Sequence, residues 1–148
     1  VPDARMTSSS QWDSYHGPER ARINTTKEGE FVGAWVPDSW NSTQWIQVEF
    51  DALMNVQKVQ TKGRDDFPQW TESYMLLFSE DGEQWEAYEE VYGTAKLFEG
   101  NVDSSHVRKG YLARGFTARA VRLHPTAWNN AIGVRWEILG CPGNQVIA

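Results

Sequence analysis

Short runs in which every second residue is apolar, separated by turn formers, limit this chain to a narrow set of folds. Ile46, Val48 and Phe50 alternate with Gln47 and Glu49, and Tyr74, Leu76 and Phe78 share one face of a second run. Val121 and Leu123 alternate with Arg122 and His124, and Val134, Trp136 and Ile138 with Arg135 and Glu137. A period of two sends successive side chains to opposite faces of an extended strand, so each run reads as a strand with one face in a core. Glu80-Asp81-Gly82-Glu83 supplies a hairpin turn, its glycine taking the positive φ that such turns need, and residues 85–88 resume the extended pattern. Nowhere does an apolar i, i+3, i+4, i+7 stripe run for three turns with caps. The pattern predicts an all-β sandwich or barrel.

The 148 residues fit one domain, residues 1–148, and no linker-like stretch divides them. A domain of this length buries roughly 68–70% of the surface its unfolded chain exposes, which is enough for a core without metal or disulfide staples. Twenty acidic against fourteen basic residues leave a formal charge of −6, and such a field repels phosphate backbones and anionic lipid. No nucleic-acid partner is expected. The longest apolar run, residues 74–78, is far too short to span a bilayer. The chain opens Val-Pro-Asp and shows no signal peptide, and it is expected to be a processed or excised piece. A single cysteine, Cys141, argues against secretion, whereas the sequons Asn24-Thr25-Thr26 and Asn41-Ser42-Thr43 argue for it.

Three segments between the strands mix turn formers with large aromatics. They are Ser10-Gln11-Trp12-Asp13-Ser14-Tyr15-His16-Gly17-Pro18, Val36-Pro37-Asp38-Ser39-Trp40-Asn41-Ser42 and Gly63-Arg64-Asp65-Asp66-Phe67-Pro68-Gln69-Trp70. An aromatic in a loop either folds back on the core or serves as contact surface. Trp45, Trp85, Trp128 and Trp136 fall on or beside alternating runs and are expected in the core. Trp70 borders the strand near Ser73 and fits the core and a loop shoulder equally. Trp12, Trp40 and Phe67 are claimed by no alternation and are the better contact candidates.

Catalytic constellations are missing from the sequence. His16, His106 and His124 are scattered, with neither an HExxH nor a Cys/His cluster, and there is no GxSxG elbow or phosphate-cradling glycine loop. Asp65 and Asp66 are adjacent, so their carboxylates are expected to diverge rather than act as an acid–base pair. His124 reads as a surface histidine on a strand. No enzyme activity, cofactor or metal is expected. The loops instead carry the chemistry of recognition: rings that stack on sugars or anchor a protein hot spot, beside Asp, Asn and Arg groups that direct hydrogen bonds.

An ordered series of fragments resembles the discoidin, or coagulation factor V/VIII type C, domain family. It runs through Pro2-Asp3-Ala4-Arg5-Met6-Thr7-Ser8-Ser9, Ala21-Arg22-Ile23-Asn24, Gly33-Ala34-Trp35 and Gln44-Trp45-Ile46-Gln47-Val48. Thr61-Lys62-Gly63-Arg64, Ser79-Glu80-Asp81-Gly82-Glu83-Gln84-Trp85 and Phe98-Glu99-Gly100-Asn101-Val102-Asp103 follow. Thr117-Ala118-Arg119, Val121-Arg122-Leu123-His124-Pro125-Thr126-Ala127-Trp128 and Glu137-Ile138-Leu139-Gly140-Cys141 close it.

The resemblance implies an eight-stranded jelly-roll β-sandwich or barrel with three loops projecting from one end, where the three aromatic segments fall. Family members bind sugars, phosphatidylserine membranes, collagen or peptide C-termini, so the likeness says where the ligand sits better than what it is. It further implies that Cys141 pairs with a cysteine upstream of Val1, which restores the secreted reading as one module of a larger extracellular protein. Ala120 stands where the family favours an aromatic. Around the loops Asp13, Glu19, Asp38, Asp65, Asp66 and Glu72 face only Arg20 and Arg64, a local charge of −4 that opposes anionic lipid. The family's pocket for a C-terminal Arg uses an aspartate in the second loop; Trp40 aligns there, with Asp38 close by. Structural calcium occurs in relatives of the fold, and Asn101 and Asp103 are the residues that would contribute to it.

The leading expectation is a carbohydrate- or glycoprotein-binding module. Its floor comprises Trp12, Trp40, Asp66 and Arg64, its rim Tyr15, His16, Asn41 and Phe67, with Asp38, Asp65 and Trp70 flanking. A protein-adhesion module and a phosphatidylserine-binding module are the alternatives.

Overall fold

The computed structural model describes residues 1–142, so the last six residues of the expected domain lie outside it. Nine strands are formed among the described residues. They are β1 (Met6–Ser8), β2 (Ile46–Lys62), β3 (Trp70–Ser79), β4 (Glu86–Ala87), β5 (Glu89–Val91), β6 (Thr94–Ala95), β7 (Phe98–Glu99), β8 (Arg108–Asn129) and β9 (Arg135–Pro142). Strand accounts for 52% of the chain and helix for 5%, the helix being two short 3-10 turns at Asp3–Arg5 and Pro18–Ala21, so the class is all-β.

Seven strands form one antiparallel network, and β5 and β6 form a separate ribbon. The count of eight is not reproduced: five of the nine strands are only two or three residues long, whereas β2 and β8 are long strands that serve both layers. The first part of β2 lies between β1 and the last part of β8, with Ile46 opposite both Ser8 and Leu123. The later part of β2 lies between the start of β8 and β9, with Val59 opposite both Gly110 and Ile138. Register shifts between Glu49 and Met54, and again between Val56 and Lys58, mark where the pair changes layer. Extra residues on one strand of a pair bend it and increase its twist, which is how one ladder closes over a core.

That core takes the inward residues of the alternating runs: Ile46, Val48, Phe50, Tyr74, Leu76, Val121, Leu123, Val134 and Trp136. Parallel ring pairs fill it further, Tyr74 with Phe98 at 5.0 Å and Phe78 with Phe116 at 4.2 Å. The turn at residues 80–83 joins β3 to β4, with Gly82 at φ +81°.

Three expectations need correction. Trp45 and Trp85 are half-buried and outside the core; their rings sandwich the Arg122 guanidinium, each with its centroid 4.0 Å away. His124 is half-buried, with Nε2 shielded from water and unpartnered among the described residues; burial, and then the Arg122 charge, push its pKa down. Arg135, at a polar position of the Val134–Trp136–Ile138 alternation, is buried as well. Trp128 is likewise half-buried, though it packs against the core.

No helix among the described residues is long and apolar enough to cross a membrane. Cys141 lies opposite Asn55 on the β2–β9 ladder, half-buried and with a free thiol. Of the two residues that the family likeness would give to calcium, Asp103 is already committed within its own loop, whereas Asn101 keeps a buried Oδ1 without a partner among the described residues. Asn101 is buried with Nδ2 donating to the carbonyls of Thr61 (3.0 Å) and His106 (3.2 Å), and the Asp103 carboxylate accepts from the Ser105 and His106 amides and from His106 Nδ1. No group of three or more His, Cys, Asp or Glu among the described residues is placed to hold a metal.

Candidate ligand-binding surface

The first loop (residues 9–17) leaves β1 and the second (36–44) leads into β2. Because Ser8 pairs with Ile46, the two loops emerge side by side. Trp35 roots both from below: its buried indole donates to the Ser10 carbonyl (2.9 Å), and its backbone exchanges hydrogen bonds with Val134. The Trp12 amide donates to Val36 (2.8 Å), and the Ser9 and Ser10 hydroxyls both donate to Gln44 Oε1 at 2.7 Å. These tethers bring Trp12 and Trp40 into a parallel stack, centroids 5.9 Å apart and planes 9° from parallel. Trp12 remains 56% and Trp40 37% exposed, so much of the pair faces water.

The third loop (63–69) joins through the segment before Trp35. Gly33 donates its amide to Asp66 Oδ1 (3.0 Å), and its carbonyl accepts from the Asp65 amide (3.1 Å). A Cβ on Gly33 would sit 2.4 Å from the Asp65 Cβ, so this crossing admits glycine alone. Gly33→Ala is therefore expected to part the loops and cost about 1–3 kcal/mol, the usual range for overpacking, in urea denaturation. An unchanged midpoint would mean that the crossing relaxes freely.

Arg64 forks onto Asp66, with Nε to Oδ1 at 2.9 Å and Nη2 to Oδ2 at 3.2 Å, while Nη1 donates to Gln69 Oε1 at 2.8 Å. Burial raises the Asp66 pKa, but Arg64 and the Gly33 amide together hold it below the usual carboxylate range. Asp65 points elsewhere and accepts from the Lys27 amide (3.0 Å). The two carboxylates diverge. Phe67, 55% exposed, lies against Arg64, its centroid 5.4 Å from the guanidinium carbon. On the first loop Asp13 accepts from His16 Nδ1 (2.5 Å) and from the Tyr15 amide (2.8 Å). His16, the Tyr15 amide and the nearby Arg64 charge hold its carboxyl below the usual value.

Residues 5–138 match the family described as F5/8 type C domain. The chain belongs to that family. Lactadherin of Rattus norvegicus is 35% identical over 149 aligned residues, which cover 95% of this chain and 34% of the relative. This type C domain thus spans about a third of that protein. Discoidin II of Dictyostelium discoideum has the same fold, with a TM-score of 0.84 at 24% identity over 93% of this chain and 55% of that one. So does chitosan-binding module 2 of a chitosanase/glucanase from Paenibacillus sp. IK-5, solved with chitotriose, with a TM-score of 0.65 at 17% identity over 91% and 95% of the two chains.

The type C fold gathers most of the expected site residues at one end but divides them into groups. Trp12, Trp40, Asp38 and Asn41 form one exposed group on the first two loops. Arg64, Asp66 and Phe67 form another on the third, and Asp13 and His16 stand near it. Asp65 braces the loop through Lys27. Trp70 opens β3 half-buried, its Nε1 shielded and unpartnered among the described residues, so it supports the loop from beneath.

Tyr15 meets a residue that the sequence reading passed over. Phe31 packs edge-on against it, centroids 5.2 Å apart, and Arg20 lies over the Phe31 ring at 5.7 Å. Phe31 is exposed at the end of a small turn closed by reciprocal Glu28–Phe31 hydrogen bonds. A glycine-centred Glu28-Gly29-Glu30 turn running into an apolar residue was the available signal.

Proposed function

We propose that this chain is an extracellular, non-catalytic binding module that takes carbohydrate, free or on a glycoprotein, across its three-loop end. The observation that carries this reading is the exposed, parallel Trp12–Trp40 pair. It offers a rigid apolar platform of the kind on which sugar C–H faces stack, with the exposed Asp38 carboxylate on the same loop as Trp40 to direct hydroxyl contacts. Domains of this family are non-catalytic binding modules, and a chitosan-binding module of the same architecture was solved with chitotriose. Both support sugar as the ligand class. The commitment of Asp65 to Lys27 and of Asp66 to Arg64 and Gly33 argues against acid–base chemistry here.

The test is a glycan array probed with the wild-type chain, beside sedimentation with liposomes that contain or lack phosphatidylserine. Selective glycan signals and no dependence on the anionic lipid are expected, because the loop end is acidic. An array with no signal above background would remove carbohydrate as the ligand. A captured protein that stays bound after enzymatic deglycosylation would put a protein epitope in its place, and strong phosphatidylserine dependence would put a membrane there.

A further inference from the structure

Both Asn-X-Thr sequons lie outside the strands with their asparagines exposed, as an acceptor for an N-linked oligosaccharide requires. Their surroundings differ. Asn24 borders a cleft of about 400 Å³ lined by Met6, Ile23, Phe50, Trp136 and Ile138, none of which belongs to the loop surface. Asn41 directly follows Trp40, so their Cα atoms are about 3.8 Å apart.

The second sequon is folded into a single turn. Asn41 Oδ1 accepts from the Thr43 amide (3.1 Å) and from the Thr43 hydroxyl. Nδ2 donates one hydrogen to Ser39 Oγ (3.2 Å), and its second hydrogen has no protein acceptor among the described residues. The acceptor nitrogen is therefore held in an ordered turn at the residue that directly follows Trp40 of the exposed indole pair.

We propose that Asn41 carries an N-linked oligosaccharide, and that this glycan folds over Trp12 and Trp40 and competes in cis with external ligand. In the transfer, the bond between the anomeric carbon of the reducing sugar and the pyrophosphate of a lipid-linked oligosaccharide donor breaks. A bond forms from that carbon to Asn41 Nδ2, the lipid pyrophosphate leaves, and one Nδ2 proton passes to a base of the transferase. The competition follows from tethering. A sugar attached one residue from the platform has an effective concentration of about 2–9 mM, so it fills a platform of roughly 1 mM intrinsic affinity most of the time, and external ligand is weakened by a factor of one plus the ratio of the two. External ligand is then weakened about 3- to 10-fold. This competition rests on the carbohydrate reading of the loop surface; the modification itself does not.

The experiment uses Asn24→Gln protein, which leaves one sequon, secreted from a eukaryotic cell and compared with the same protein made in bacteria. Peptide mass spectrometry reads the modification, and a glycan array titrated with each preparation reads the competition. The secreted protein is expected to carry hexose-containing mass on the Asn41 peptide and to need about 3- to 10-fold more protein for equal array signal. Thr43→Ala in the same background keeps Asn41 and both tryptophans; it is expected to lose the added mass and to bind like the bacterial protein. An unmodified Asn41 peptide in the secreted protein overturns the acceptor assignment. A modified peptide with equal binding by both preparations overturns the competition. Silence of the bacterial protein on the array fells the carbohydrate reading, and the competition with it, while the mass result stands by itself.

Discussion

Replacing Arg135 with methionine is expected to lower the unfolding free energy by about 3–5 kcal/mol, in the range seen when one partner of a buried charged contact is removed. For a chain of this size that corresponds to a fall in Tm of roughly 10 °C. Arg135 is only 3% exposed, and its guanidinium spans three backbone carbonyls: Nε to Gly63 at 2.6 Å, Nη1 to Thr25 at 2.8 Å and Nη2 to Ser104 at 2.8 Å. Burial pushes its pKa down, and Asp65 and Asp66 push it back up, so the charge stays in place. Methionine keeps the stem but removes the donors from three carbonyls, that of Gly63 in a buried contact and those of Thr25 and Ser104 in part-buried ones, and a carbonyl left unpaired away from water costs about 1–3 kcal/mol. Lysine is expected to rescue little, because a single ammonium does not reproduce the planar fork. The three carbonyls belong to the segment after Ile23, the root of the third loop and the 101–107 loop. Amide exchange across residues 63–69 should therefore quicken before the strands are affected. A loss under 1 kcal/mol would show that the carbonyls find other donors and that Arg135 is not the tie.

The burial of Arg135 is not announced by the residue pattern, although much of the core is. Alternation at Ile46–Val48–Phe50, Tyr74–Leu76 and Val121–Leu123 named buried faces correctly, because one side of each strand meets the core and the other does not. Arg135 sits at a polar position of such an alternation, yet its partners lie 72, 110 and 31 residues away in sequence. Period-two reasoning does not see loops that fold back over the outer face of a strand. Trp45 and Trp85 failed for a related reason: they belong beside strands, but on the face where Arg122 gives a flat cation to stack on. The place where β2 changes layer was hidden as well, since its register shifts depend on its partner β8 rather than on local sequence. At the loop end, Trp12, Trp40 and Phe67 stood out because turn formers surround them, and all three are exposed. That Trp12 stacks on Trp40, and that Phe31 stands beside Tyr15, are long-range facts set by Trp35 and by the turn at residues 28–31.

Trp12→Ala is expected to weaken glycan binding by about 30-fold, the effect of losing one aromatic anchor worth roughly 2 kcal/mol, while stability stays within about 0.5 kcal/mol as for most exposed positions. The asymmetry follows from placement. The Trp12 backbone amide holds the first loop to Val36, and alanine preserves that bond; the ring itself is more than half in water and stacks on Trp40. Trp40→Ala should weaken binding comparably. The double substitution should weaken it by much less than the product of the two, because each ring positions the other and their effects are coupled. Phe67→Ala tests the opposite side of the surface. Its ring leans on Arg64 rather than on the indoles, so a smaller loss is expected, and one independent of Trp12. Isothermal titration of the four variants with the strongest array ligand, beside urea denaturation of each, measures both quantities. If Trp12→Ala bound as tightly as wild type, the indole pair would be an exposed ornament of the first two loops, and the ligand would have to be sought around Phe67 and Arg64 instead.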